Sequence, residues 1–417
     1  MADESGPVVV LCKWRAEMVP AILDVTANLY VVLDESDLAR ADFGEGLLDG
    51  VRGVYRIGNF DSVEEVTGVA VDLAVRGIRV SRVISLSEDS QLGANHLRTL
   101  LGCATADGLV LAGARDKRMM KELVGRAGVP VTRWASLPSG GTDFGAVAFP
   151  AVVKPAFGFG TMNTIRVDGP EDAATAVRQL PRLPRLKSDH LIIEEFINGR
   201  ELHIDALWHD GEPLFFLVSS YYVPRLAHVE GDSGSGGGST RDGSYLIQRH
   251  DHLDLYDRLS TLHSAVNRAL GIATAVTHLE VFETDSGDIV FSEVATRMGG
   301  GYIPDMLSAQ LGYNVYDALA SGLINGRIVD PKPAHRHVGA LHLRPSRAGI
   351  ISSMPSDAEI QEVDGVVSWR RMKQAGDTIG FANAMDWCLV VVIGADDAQA
   401  YSEFAERVEA QLVIEVE

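Results

Sequence analysis

The chain has 417 residues, 46% hydrophobic and 23% charged, with 37 Lys plus Arg against 57 Asp plus Glu and a net charge of −20. That acidity argues against nucleic acid and against an acidic membrane surface as partners, because both need a basic face. The length suits two or three domains at about 150 residues each, no apolar run approaches the roughly 20 residues of a membrane span, and an N-terminus carrying Asp3 and Glu4 before a short apolar run at 8–12 lacks a secretory signal, so a cytoplasmic protein is expected.

Short β-branched runs at 8–12, 29–33 and 80–86 alternate with helix-like stretches at 16–27, 62–76 and 90–102. This pattern predicts a parallel α/β sheet in an N-terminal domain of about 1–112. No GxGxxG follows the first strand, so the dinucleotide fingerprint is missing. Asp116 is placed to cap a helix that runs to about Arg126 and ends at Gly128 and Pro130. Strands at 131–135, 151–154, 164–167 and 190–196, with a helix at 171–179, form an α+β unit over about 113–198.

Further strands fall at 202–208 and 213–221. Residues 231–243, GDSGSGGGSTRDG, favour many conformers. Inside a catalytic-looking unit they read as a mobile loop ordered by substrate; an idle linker is the alternative. A helix at 253–270, strands at 276–283 and 288–294 joined by a TDSGD turn, and helices at 304–311 and 314–323 carry the unit to about 330. After Pro331 and Pro333 a C-terminal α/β piece, 331–417, has strands near 337–344 and 387–393 and a helix at 396–411.

Cys12, Cys103 and Cys388 are scattered and odd in number, so neither a disulfide framework nor a zinc cluster is expected. Cys12 and Cys388 sit in apolar runs and read as small buried hydrophobes. His250, His252 and His263 read as solvated helix and loop, and no His/Cys metal spacing stands out.

Lysine is scarce, 7 against 30 Arg, and two of the seven fall where an ammonium point charge would suit a phosphate better than a guanidinium. Lys117 opens a helix directly after Asp116, and Lys154 ends an apolar strand in FPAVVKPAFGFG. Gly158 and Gly160 then allow a ligand close to the backbone, and exposed amides add donors for an anion. No GK[ST] follows, so this is not a Walker A loop.

A second segment, LIIEEFINGRE, runs an apolar strand into Glu194 and Glu195, then Phe196, Ile197, a turn and Glu201. A strand edge offers N–H and C=O groups to a base, the apolar pair can cover a ring, and Glu201 can accept from ribose hydroxyls. Third, Glu280 and Glu293 lie 13 residues apart on the two strands of the predicted hairpin. Antiparallel pairing can place them opposite each other, where two carboxylates repel unless a hard cation such as Mg²⁺ sits between them. Arg297 can then stabilise oxyanion charge, and Gly299, Gly300 and Gly301 can present amides or leave room for a bulky substrate group. Each signal has a bland counterpart when taken alone: a glycine turn, an amphipathic strand, a pair of surface acids.

The ordered combination, DK, strand–KP–glycine loop, EEFxxGxE and E-x12-E-xxx-R-xGG, resembles the ATP-grasp superfamily over about 113–330, its carboxylate–amine ligases most of all, and in particular the L-amino-acid ligases that make dipeptides. The resemblance implies an α/β and α+β molecule of ATP-grasp fold. Its parts would be a Rossmann-like parallel domain (1–112), a lid subdomain (113–198) and a catalytic α+β subdomain (199–330) completed by 331–417. It implies ATP with Mg²⁺ or Mn²⁺, small-molecule carboxylate and amine substrates, and an assembly compatible with a homodimer. By the same resemblance Lys117 and Lys154 contact the α- and β-phosphates, with Lys154 and Arg297 as the catalytic pair. Gly158, Gly160 and Thr161 line the phosphates. Glu194, Glu195, Phe196 and Ile197 frame adenine, partly through backbone, and Glu201 takes ribose. Glu280 and Glu293 hold the metal, and Arg297 stabilises an acyl phosphate.

Two positions depart from the pattern: Asn163 stands where many relatives have a later loop glycine, and Ala295 where many have a metal-binding Asn. The implied reaction is amide formation through an acyl phosphate, releasing ADP and phosphate. Carboxylation through carboxyphosphate and non-catalytic ATP binding are the alternatives.

Overall fold

The computed structural model describes residues 6–40, 43–103, 106, 108–138, 140–180, 189–227, 241–380 and 386–417. Strands Val9–Cys12 (β1), Leu29–Asp34 (β2), Gly53–Ile57 (β3) and Arg82–Ser85 (β4) pair in parallel in the order β3-β2-β1-β4. The first is apolar throughout and the second is so up to Asp34 at its end, because both faces of the sheet are covered. Val10, Val32 and Val83 meet helices Val63–Val75 and Gln91–Leu100, while Leu11, Val31 and Leu33 share a core with helices Ile303–Leu311 and Val315–Asn325. Strand β3 lies at the edge with alternating burial, and so carried too little apolar signal to be read.

A second, antiparallel sheet holds Trp134–Leu137 (β5), Ala151–Pro155 (β6), Ile165–Val167 (β7) and Leu191–Glu195 (β8) in the order β5-β8-β6-β7, with helix Pro170–Gln179 packed on it. The strand expected at 131–135 starts later than predicted. Val131 instead bridges to Phe291, tying this sheet to the next.

The largest sheet collects Gly199–His209 (β9), Glu212–Tyr221 (β10), Gly243–Leu246 (β11), Ala275–Thr284 (β12), Ile289–Ala295 (β13) and His337–Leu343 (β14). After Gly349–Ser353 (β15) it adds Val366–Arg371 (β16) and, after Thr378–Ile379 (β17), Leu389–Ala395 (β18). Its order is β13-β12-β9-β10-β11-β14-β18-β16, while β15, β17 and Glu415–Val416 (β19) make a small separate sheet. Helix Leu253–Ala269 packs Leu255, Leu259 and Val266 against Leu202, Ile204, Leu279 and Val281. Side chains alternate along a strand, so Glu201, His203 and Asp205 of β9, with His278, Glu280 and Phe282 of β12, take the opposite face.

One expectation changes here, that for His263, and another falls largely on residues outside those described. Most of the segment read as mobile, 228–240 within and around 231–243, lies outside the described residues; its far end is held, with Asp242 buried and Gly243 paired to Leu341 in β11. At φ +134° a Cβ on Gly243 would sit 2.0 Å from the Ala340 carbonyl oxygen, so this strand pairing requires glycine. His263 is fully buried rather than solvated, with Nε2 3.0 Å from Thr277 Oγ1. It lies four residues after Leu259 on the apolar face of its helix. His250 and His252 are exposed. Cys12 and Cys388 are buried, and no helix among the described residues is long and apolar enough to cross a membrane.

Candidate active site

A cleft of about 580 Å³ lies between the second sheet and the polar face of the largest sheet. Lys117, Lys154, Gly158, Gly160, Thr161, Glu194, Glu195, Phe196, Ile197, Glu201, Glu280, Glu293 and Arg297 all line it. Residues from 117 to 297 thus converge on one space.

One wall is basic. Asp116 caps helix Lys117–Arg126, accepting from the N–H groups of Arg118 at 2.8 Å and Met119 at 3.3 Å. The cap points Lys117 into the cleft, where Nζ donates to the Gly158 carbonyl at 2.6 Å and lies 3.2 Å from Glu293 Oε2. One turn on, fully buried Lys121 pairs with Glu194 at 2.7 Å and donates to the Ser292 carbonyl at 3.0 Å. Lys154, from β6, pairs with the other Glu194 oxygen and lies 3.7 Å from Glu293 Oε2. Burial alone would lower the Lys154 ammonium, but Glu194 and Glu293 outweigh it and hold it above the usual lysine range. Burial would likewise raise Glu194, and the two lysines hold it well below the carboxylate range instead.

These contacts alter two expectations. The Glu194 carboxylate does not face a base; it is engaged by Lys121, Lys154 and the Thr132 hydroxyl at 2.7 Å. The amides of Glu195 and Phe196 donate to the Arg133 and Pro150 carbonyls, both at 2.9 Å, and so are not offered to a ligand. Phe196 and Ile197 still line the cleft, with the Arg166 guanidinium 4.6 Å from the Phe196 ring centroid. In the glycine loop Gly160, Thr161 and Asn163 have φ of 60°, 57° and 58°. Asn tolerates this left-handed conformation better than most residues, which accounts for Asn163 in a glycine's place. Thr161, being β-branched, is strained there by about 1–3 kcal/mol.

The floor is acidic. Glu280 and Glu293 are direct cross-strand partners, and on the other side of β12, Glu280 faces His203, His278 faces Asp205 and Phe282 faces Glu201. The Tyr221 hydroxyl donates to Glu280 Oε1 at 3.0 Å, and His278 Nε2 lies 3.3 Å from the same oxygen. Burial would raise Glu280, but His278 holds it low; burial and the Glu280 charge together push the Glu201 carboxyl up. Glu201 already accepts from the Arg225 amide at 2.7 Å. Two carboxylates on adjacent strands beside a third that resists ionisation form an oxygen-rich donor set that fits a hard divalent cation. Ala295, which has no oxygen in its side chain to add to this set, pairs with His278.

Sequence reasoning missed several participants. His203, Asp205 and His278 form a buried cluster whose ligand-type atoms lie within 4.8 Å of one another. The period-two pattern E-x-H-x-D from Glu201 was its available signal. Burial would lower His278, yet Asp205 pushes it up to about 10. Glu88, in a turn after β4, pairs with Arg297 and with Arg115 at 3.2 Å, and Arg115 reaches the carbonyls of Phe157 and Gly158. Arg297 also donates to the Met298 carbonyl at 2.8 Å.

Gly301 does not leave open room as expected. At φ +64° its Cβ would meet the Trp387 ring at 2.7 Å, and Trp387 stacks on His342 at 3.8 Å. An indole from the C-terminal part of the chain fills the space.

Comparison with known proteins adds the following. The family model of the ATP-grasp domain matches residues 147–305. The chain is 27% identical over 331 residues to the L-arginine-specific L-amino acid ligase of Bacillus subtilis, covering 76% of each. It is 35% identical over 201 residues to the D-alanine–D-alanine ligase of Frankia casuarinae, covering 45% of this chain and 49% of that one. The crystal structure of the L-amino acid ligase from Bacillus licheniformis superposes over 99% of both chains with a TM-score of 0.74 at 15% identity, a likeness of fold.

Proposed function

We propose, from the premise that this chain is an ATP-grasp protein through its residues 147–305, that it uses ATP to join an amino acid or related carboxylate to an amine or a second amino acid. The chain is an ADP-forming carbon–nitrogen ligase; the finer reading draws on relatives named as L-amino acid and D-alanine ligases. The observation that carries it is the meeting of the Lys117 and Lys154 ammonium groups with Glu293, 3.2 and 3.7 Å away, directly across from Glu280.

In this reading the substrate carboxylate attacks the γ-phosphorus of ATP, the bond to the β-phosphate oxygen breaks, and ADP leaves an acyl phosphate. The neutral amine then adds to the acyl carbon, its nitrogen gives up a proton, and phosphate leaves with the C–O bond as the tetrahedral anion collapses to the amide. Such transfers rest on positioning and charge neutralisation more than on covalent side-chain chemistry. Lys117 and Lys154 neutralise phosphate oxygens from the wall. Glu280 and Glu293 would hold Mg²⁺, which supplies charge neutralisation between nucleotide phosphates. Phe196 and Ile197 cover the base by apolar contact, and Glu201 approaches the ribose. Arg297, held by Glu88, faces the reacting carboxylate, and Glu88 and Arg115 thereby link the first sheet to the glycine loop.

The test is phosphate release with ATP and Mg²⁺ across amino acids and amines, singly and in pairs, with mass spectrometry of products. A pair-dependent product with an amide mass supports ligation. Bicarbonate-dependent ADP formation without an amino acid would replace it with carboxylation, and nucleotide binding without turnover would leave a binding protein.

A further inference from the structure

Glu280 is fixed from behind. Its Oε1 meets the Tyr221 hydroxyl at 3.0 Å and His278 Nε2 at 3.3 Å, while Oε2 makes no hydrogen bond among the described residues. His278 is itself held: Nδ1 lies 2.9 Å from Asp205 Oδ1. The other Asp205 oxygen takes His203 Nδ1 at 2.7 Å, and His203 Nε2 lies 2.9 Å from Ser244 Oγ. A carboxylate only accepts, so each Nδ1 is a donor to Asp205. The line Ser244, His203, Asp205, His278, Glu280 crosses β11, β9 and β12, and Ser244, His203 and Asp205 are inaccessible to solvent. A hydrogen-bonded chain that dry has few alternative rotamers.

We propose that His278, locked by Asp205 and His203, is a positioning residue that fixes the Glu280 carboxylate so that Oε2 is presented to the divalent cation carrying the nucleotide phosphates. This rests on the reading of Glu280 as a cation ligand. Outer partners of metal-binding carboxylates act this way, and their loss weakens metal affinity about 10- to 100-fold. The role is distinct from catalysis, since His278 reaches the chemistry only through Glu280.

The experiment measures Mn²⁺ affinity by electron paramagnetic resonance in the full-length protein saturated with a non-hydrolysable ATP analogue, alongside metal-free affinity for the analogue. His278→Phe removes the donor to Oε1; His278→Gln keeps an N–H at similar reach. We expect His278→Phe to weaken Mn²⁺ binding about tenfold or more, His278→Gln to recover most of it, and metal-free nucleotide affinity to stay within about twofold. Asp205→Asn, a milder change should His278→Phe not fold, is expected to weaken Mn²⁺ several-fold. Wild-type Mn²⁺ affinity in His278→Phe or Asp205→Asn, or equal losses in the Phe and Gln variants, would overturn the proposal. Unchanged Mn²⁺ binding in Glu280→Gln would overturn the cation-ligand reading itself, and with it this role.

Discussion

The basic wall and the acidic floor of the cleft meet at Glu293 but are stabilised in opposite ways. In the wall, Lys121 and Lys154 share Glu194 between them, with Thr132 completing the set, so the cations sit in place before any nucleotide arrives. In the floor, Glu201, Glu280 and Glu293 crowd on three adjacent strands, and His278 offsets the charge only in part, leaving Glu201 reluctant to ionise. The wall is finished by the protein's own charges; the floor is finished by what binds. Buried charge is tolerated when paired, and the two regions differ in where the partner comes from.

That contrast can be broken most directly at the floor. Glu293→Gln should cut steady-state phosphate release by at least about a hundredfold, the scale of losing one group that stabilises developing charge, with circular dichroism unchanged. Turnover near wild type at ordinary Mg²⁺ would remove the floor from the chemistry. The wall offers a finer division. Lys154→Met should raise the nucleotide KM about tenfold or more, whereas Lys121→Met should mainly lower the urea midpoint, because breaking a buried pair costs about 3–5 kcal/mol. Equal effects of the two on KM would show that the wall's structural and ligand-facing cations are not separate.

Smaller effects sharpen the picture at the edges. Gly301→Ala should destabilise by about 1–3 kcal/mol through its left-handed backbone and its approach to Trp387. Trp387→Leu should restore part of that loss, as read from melting temperatures of the double variant. The smallest effect is a pH dependence. Burial holds the neutral form of His263 and drops its pKa from 6.5 to about 3. Below pH 6.5 the unfolded chain takes up a proton that the folded one refuses, so His263 costs stability progressively from 6.5 down towards 3. Glu201, raised by burial, acts with the opposite sign, so the readout is the difference between proteins. His263→Gln should lose less stability than wild type between pH 7.5 and 5, and parallel curves would contradict it.

Local patterns carried much of this into the sequence. The Asp116 cap, Lys154 at a strand end, and the spacing that sets Glu280 opposite Glu293 are short-range features, and each leaves a trace in residue order. The register even absorbs a bulge after Glu280 without separating the two acids. What stayed hidden is long-range. Glu88 reaches Arg297 across 209 positions, and Trp387 fills a gap beside Gly301. Glu194 was read as framing adenine because its partner Lys121 sits on a helix 73 positions earlier. Strands β16, β17 and β19 are short or half-exposed and were not distinguishable from loop.

The seam between β11 and β14 has a consequence for how the chain is made. All three floor acids are already in the chain once residue 293 is added, yet the sheet that carries them still ends in an open edge at β11. That edge is sealed only when β14, and behind it β18, emerge some fifty to a hundred positions later. A nascent chain stalled in that interval presents an unpaired strand ready to recruit the wrong neighbour. Slow codons or a truncation between 300 and 390 should therefore yield aggregates rather than a smaller soluble product.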